Sequence, residues 1–191
     1  MARNPERRIA LVDAAIEVLA REGARGLTFR AVDIEAGVPT GTASNYFANR
    51  DDLFTQAGAR IHVRMAPDPA DADAAMRQSP TRGLYVDLMR WLLRRMTAER
   101  TGYLALLEMR LEATRRPTLA AELNKAVRAE LDANRLLHLG SGLPGDADAF
   151  LTLYLAMTGL MLEHFTLPGV LADRELDQLV ETMVNRIIPE S

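Results

Sequence analysis

The chain has 191 residues, 48% of them hydrophobic, and a formal net charge of −3, enough apolar mass for a buried core and too little basic excess to coat nucleic acid indiscriminately. The absence of cysteine excludes disulfides, thiolate chemistry and cysteine-bound zinc. Up to Arg64 there are 9 basic and 8 acidic side chains, against 14 and 18 in the remainder, a balance that permits a localised DNA surface without requiring one.

Met1 to Arg8 is polar and charged, unlike a secretory leader, and no uncharged run, the apolar one at residues 149–162 included, exceeds 14 residues against the roughly 20 that span a bilayer. A cytoplasmic protein without a membrane partner is expected. Breakers fall between segments of 3.6-residue periodicity and strand-like alternation is absent, so the predicted fold class is all-α with about nine helices. The first covers about Pro5 to Arg21, with Ile9, Val12, Ile16 and Leu19 as its apolar stripe and Gly23 and Gly26 at its end. Thr28 is placed to cap the second, with Leu27 and Val32 at the staple positions, and Gly37 follows Ala36 where a left-handed terminus belongs. Val38-Pro39 turns the chain into a short third helix, about Thr40 to Phe47. Asn49 opens a fourth, carrying Leu53, Phe54, Ala57 and Ile61 and fading near Met65. Residues 66–80, with three prolines and three aspartates, read as a loop. A fifth helix runs from about Pro80 to Ala98, a sixth from Tyr103 to Thr114 and a seventh from Pro117 to His138. After a loop at Gly140 to Gly145, an eighth covers about Asp146 to Phe165, and Pro168-Gly169 separates it from a ninth, Arg174 to Ile188.

The block from Gly26 to Phe54 carries the functional signal. Two short capped helices around a turn containing Gly37 make a helix-turn-helix, whose second helix enters the major groove. Thr40, Thr42, Ser44, Asn45 and Tyr46 offer hydroxyl, amide and phenol groups to base edges and phosphates, and Gly41 allows close backbone approach. Arg30 can reach a guanine or a phosphate, and Arg50, at the start of the fourth helix, a phosphate. Plainer readings stand beside these: Thr28 as a cap only, Arg50 as a solvated charge, Phe47 as core.

This block resembles the tetracycline-repressor (TetR) family of bacterial regulators. The matching pieces are Gly26-Leu27-Thr28, Ala36-Gly37-Val38, Gly41-Thr42, Tyr46-Phe47, and Arg50 with Leu53. The resemblance implies that Thr28, Arg30, Thr40, Gly41, Thr42, Ser44, Asn45, Tyr46 and Arg50 face DNA. It also implies a DNA-binding domain at residues 1–50 and a helical regulatory domain at 51–191 that binds a ligand and dimerises. Two departures bear on the operator: Ser44 replaces a common tyrosine, and Asp33 stands where alanine is usual, so that helix packing there differs.

The family's logic implies a homodimer formed mainly by the last two helices, and the residues agree. Phe150, Leu153, Tyr154, Leu160 and His164, with Leu176, Leu179, Val180, Met183 and Val184, spread over more than one helix face, one of which can serve a partner. Burial of the eighth helix inside a monomer is the alternative. A small-molecule pocket is expected among the fifth to eighth helices, lined by Tyr85, Met89, Trp91, Met96, Tyr103, Leu107, Arg110, Met157 and Met161. Tyr103, Leu107 and Arg110 at i, i+4 and i+7 put a guanidinium beside apolar surface, suited to an anionic, partly hydrophobic effector. Core or interface packing is the competing role for the aromatic and apolar positions, and pairing with a nearby glutamate for Arg110.

Gly140 to Gly145 matches a dinucleotide-binding glycine pattern in letters only, because a helix and not a strand precedes it and Pro144 interrupts it. His62, His138 and His164 lie far apart without metal-ligand spacing, and no serine sits in a nucleophile context. No cofactor, metal or enzyme activity is expected. The reading is a repressor that binds a palindromic operator in double-stranded DNA as a dimer and is released by a small molecule. The alternative is a helical ligand-binding or scaffold protein with a vestigial helix-turn-helix.

Overall fold

A computed structural model describes residues 4–190; Met1 to Arg3, part of the polar opening stretch, and Ser191 lie outside the described residues. Among the described residues there is no strand. The first four helices are α1 (Pro5–Gly26), α2 (Phe29–Glu35), α3 (Thr42–Tyr46) and α4 (Arg50–Met65). They are followed by α5 (Pro69–Met76), α6 (Arg82–Ala98), α7 (Arg100–Ala113) and α8 (Pro117–Ser141). Then come α9 (Ala147–Thr166), a 3-10 turn (Pro168–Leu171) and α10 (Leu176–Ile187).

The helix beyond the expected nine is α5, inside the segment read as a loop. Asp68 caps it by accepting from Ala70 N, and Pro69 fills its first turn. None of its residues is buried, so it carries no apolar stripe for periodicity to detect. Glu99 alone separates α6 from α7, at φ −106° and ψ 41°, which brings the start of α7 three residues ahead of the expected Tyr103.

Packing divides the chain into two compact units. The first comprises Met1–Ala66 with Glu99–Val127, the second Pro67–Ala98 with Arg128–Ser191. This differs from a division at residue 50. Leu53, Phe54, Ala57 and Ile61 of α4 are buried in the same core as Leu11, Ile16 and Leu19 of α1, so α4 stays with the helices before it. From α7, Ala105 and Met109 join that core, as do Leu119 and Leu123 of α8. Ile9, assigned to the buried stripe of α1, is 47% exposed instead.

Polar clamps reinforce unit 1. Arg60 holds Asp13 through Nε at 2.8 Å and a second nitrogen at 3.0 Å, tying α4 to α1. Arg64 reaches Asp13, Glu17 and Glu99. Glu108 of α7 accepts from Ala24 N at 3.3 Å, and Arg116 pairs with Asp51 at 2.6 Å. In unit 2, α10 packs on α6 and α9. Leu84, Leu93, Leu153, Met157, Leu160, Phe165, Val180, Val184 and Ile188 are buried there. His138 donates to the Gly145 carbonyl at 2.9 Å, and its ring lies 5.4 Å from those of Tyr85 and Phe150. The glycine-rich run is thus the end of α8 and an interhelical loop, with left-handed Gly142 and Gly145.

Candidate nucleic-acid interface

The site rests on α2 and α3, neither long enough to be stable alone, so caps and tertiary bonds must fix them. Thr28 accepts from Ala31 N at 3.1 Å, which makes it the cap of α2 while its side chain remains on the surface. Leu27 and Val32, both fully buried, staple that terminus to the core. The turn then needs two left-handed residues, Gly37 at φ 63° and Gly41 at φ 94°. A Cβ built on Gly41 would meet nothing within 4 Å, so the backbone conformation and not crowding demands glycine there. Gly41 is the N-cap of α3, whose first residue, Thr42, comes two after the expected start at Thr40.

Thr28, Arg30, Thr40, Gly41, Ser44 and Asn45 are exposed, and Thr42 and Tyr46 are half-buried. The hydroxyl of Thr42 donates to Pro39 O, and that of Ser44 to Gly41 O at 2.8 Å. Because a carbonyl only accepts, both hydroxyl protons are committed and both oxygens keep acceptor capacity for other partners. Asn45 Nδ2 donates to Gly41 O at 3.0 Å, leaving its second amide hydrogen and its carbonyl oxygen for other partners.

Arg50, expected to grip phosphate, is engaged within the fold. Its Nε donates to Leu27 O at 2.9 Å, a terminal nitrogen donates to Ala24 O, and the guanidinium lies 5.2 Å from the centre of the Phe54 ring. It clamps the end of α1 onto α4. Burial, followed by the nearby charge of Arg116, pushes its pKa below the ordinary arginine value.

Two further side chains support this segment: Arg8, which the sequence reading missed, and Asp33, which it noted only as a departure in helix packing. Arg8 of α1 donates to Gln56 at 2.9 Å and lies 5.8 Å from the Tyr46 ring centre and 5.5 Å from that of Phe47, so it packs against the end of α3. No local pattern marks it. Asp33 is 1% exposed; its Oδ2 accepts from Gly41 N and its Oδ1 from Ala43 N, each at 2.7 Å. A charged residue directly after a buried valine was the available signal.

The expected ligand residues are divided between the units. Tyr103, Leu107 and Arg110 belong to unit 1, and Tyr85, Met89, Trp91, Met96, Met157 and Met161 to unit 2. Tyr85, Met96, Tyr103, Met157 and Met161 are buried, Met89, Trp91 and Leu107 half-buried, and Arg110 exposed. The guanidinium of Arg95 covers Trp91 at 4.8 Å. Burial lifts the Tyr85 phenol to about 12. Arg110 instead lines an open groove of about 270 Å³ with Ala113, Thr114, Ala120, Leu123, Asn124 and Val127 in unit 1. Among the expected dimer residues, Leu153, Leu160, Val180 and Val184 are buried in their own chain, which removes them from a partner surface. Phe150, Tyr154, His164, Leu176, Leu179 and Met183 are half-buried. The outward stripe of α9 comprises Leu151 (42% exposed), Leu155 (60%) and Leu162 (42%), with Gly159 open beside them.

No helix among the described residues is long and apolar enough to cross a membrane, and no cluster of three or more histidines and carboxylates there could hold a metal ion. Residues 11–57 match the model of bacterial regulatory proteins of the tetR family, and residues 80–190 that of the tetracyclin repressor-like C-terminal domain. The HTH-type nicotine-responsive transcriptional repressor HdnoR of Paenarthrobacter nicotinovorans is 27% identical over 95% of this chain and 96% of its own. A TetR-family structure from Streptomyces coelicolor A3 is 30% identical, with a TM-score of 0.67 over 97% of this chain and 99% of that one. The multidrug binding protein EbrR, solved with imidazole, is 28% identical, with a TM-score of 0.68 over 98% of each chain. The chain therefore belongs to the TetR family of bacterial regulatory proteins, as a helix-turn-helix DNA-binding transcriptional regulator and not an enzyme.

Proposed function

We propose that this regulator represses transcription by occupying a palindromic operator as a homodimer and that a small-molecule effector releases it. The observation that carries the reading is the surface from Thr40 to Tyr46. It is uncharged, its Thr40, Ser44 and Asn45 side chains are exposed, and it is held by caps and buried bonds on a packed head. The remaining acceptor capacity of Thr42 and Ser44 suits the amino donors of adenine or cytosine, and Asn45 suits an adenine edge. Arg30 and the main-chain amides at the start of α4 supply phosphate contacts, with the side chain of Arg50 engaged inward.

One recognition helix binds weakly, and two read half-sites about one turn, or multiples of it, apart. The outward stripe Leu151, Leu155, Gly159 and Leu162 supports a second copy on α9, with Tyr154, His164, Leu176, Leu179 and Met183 contributing the surface they keep accessible. Repression and effector release are supported by the similar chain HdnoR, named a nicotine-responsive repressor, and by EbrR, solved with ethidium, malachite green and proflavin. An effector that prefers the DNA-incompetent arrangement 100-fold shifts the balance by about 2.7 kcal/mol. Within unit 2, Met89 and Trp91 remain accessible candidates for its contacts, and the protein acts in the cytoplasm.

Selection of bound duplexes from a random library returns a palindrome. Asn45→Ala then weakens binding to it by about 1–3 kcal/mol, and Leu155→Glu sediments as a monomer that no longer holds both half-sites. Wild-type affinity in Asn45→Ala would mean that α3 is not the reading helix.

A further inference from the structure

Within the recognition segment, hydrogen bonds run in a chain that begins below the surface. The Asp33 main-chain carbonyl accepts from Val38 N at 3.0 Å, while its two carboxylate oxygens take the amides of Gly41 and Ala43. The carbonyl of Gly41 in turn receives the Ser44 hydroxyl and the Asn45 side-chain amide. α3 is five residues long, and its N-cap, a glycine, has no side chain to cap with. Its first turn is therefore placed by a carboxylate belonging to α2.

Electrostatics argue that this carboxylate is present for geometry. Residues 36–49 carry no charged side chain, so Asp33 puts a negative group behind a segment that brings no cation of its own to draw phosphate. For generic attraction to DNA, a neutral residue would serve better. A buried carboxylate with both oxygens bonded gives instead a rigid origin for the groups that touch bases.

We infer that Asp33 is a positioning residue for sequence discrimination, fixing Gly41 and Ala43 so that Ser44 and Asn45 meet base edges in register. The inference rests on the DNA-reading role proposed for α3. Asp33→Asn preserves volume, removes the charge, and sets an NH₂ donor against one of the two amides. Asp33→Ala removes both acceptors without adding a donor.

The experiment measures affinity of the full-length dimer for the duplex that wild-type protein selects from a random library, and for a scrambled duplex, at several salt concentrations. Folded fraction is followed by circular dichroism. The expected result is a ratio of selected to scrambled affinity at least about tenfold lower in both variants, as loss of one charge-assisted bond requires. Scrambled-duplex affinity stays equal or rises, and the slope of log K against log salt is unchanged. If wild type selects a site and the variants keep its ratio, the positioning role is overturned while the regulator reading stands. Parallel loss of both affinities would leave Asp33 a stability residue only and overturn it equally. A wild-type protein that selects no duplex would remove the regulator reading and this inference together.

Discussion

Arg50 separates two physical roles that predict opposite results. As a clamp it contributes to the fold without DNA; as a phosphate grip it contributes only with DNA. Its guanidinium makes two bonds to carbonyls at the end of α1 and a face contact with Phe54, from a half-buried position. Charge-assisted bonds to carbonyls contribute about 1.5–3 kcal/mol each when fully buried, so partial exposure brings each to about 1. The ring contact adds about 1 kcal/mol. Relief of repulsion from Arg116, which also lies over Phe54 at 5.3 Å, returns about half a kcal/mol on Arg50→Ala. The net loss is about 2–3 kcal/mol, or roughly 5–10 °C in melting temperature for a chain of this size. Calorimetry on DNA-free protein measures it directly, and Arg50→Lys, retaining one donor, falls between. An Arg50→Ala protein that melts with wild type, and whose salt slope on DNA drops by about one, would restore the phosphate role and refute the clamp.

Two further tests address how α7 is held. A Cβ on Gly58 of α4 would sit 3.0 Å from Met109 Cε. Gly58→Ala gains about 1 kcal/mol of helix propensity against a similar packing cost and comes out near neutral, whereas Gly58→Val, with less of that gain and two more methyl groups to place, destabilises by about 2 kcal/mol. Equal urea midpoints for all three proteins would show that α4 and α7 do not pack there. Glu112 is held below its ordinary value of 4.5 by a hydrogen bond from Arg115, against the opposing effect of burial, and by the charges of Arg116, Arg115 and Arg50. A depressed carboxylate confers stability in full above its unfolded value, and that stability disappears as pH falls through the folded value. Wild type therefore loses stability below about pH 4.5 more steeply than Glu112→Gln. A difference between the two that is constant from pH 7 to pH 3 would exclude this linkage.

What could be read from the sequence was local. Thr28, Gly37 and Asn49 punctuate the chain through their own side chains or backbone freedom, and the head helices follow from them with small boundary shifts. What escaped was tertiary. Asp33 and Arg50 have partners 8 to 26 residues away, and no spacing rule links a residue on α2 to amides beyond a turn, or one on α4 to carbonyls at the end of α1. The apolar residues of α9 pose a related problem. The helix is apolar nearly all round, so periodicity identified a buried helix and gave no means to separate Leu153 and Leu160, which face the core, from Leu155, which faces out.

Unit 1 is assembled from two stretches of chain, with Pro67–Ala98 of unit 2 inserted between them in sequence. The DNA-reading head is consequently not a detachable N-terminal cassette. A chimaera joined after α4 would graft Gly58, Asp51 and Ala24 onto a foreign scaffold lacking Met109, Arg116 and Glu108. Recombination between regulators of this type should tolerate junctions that carry residues 99–127 along with the head, and reject those that leave them behind.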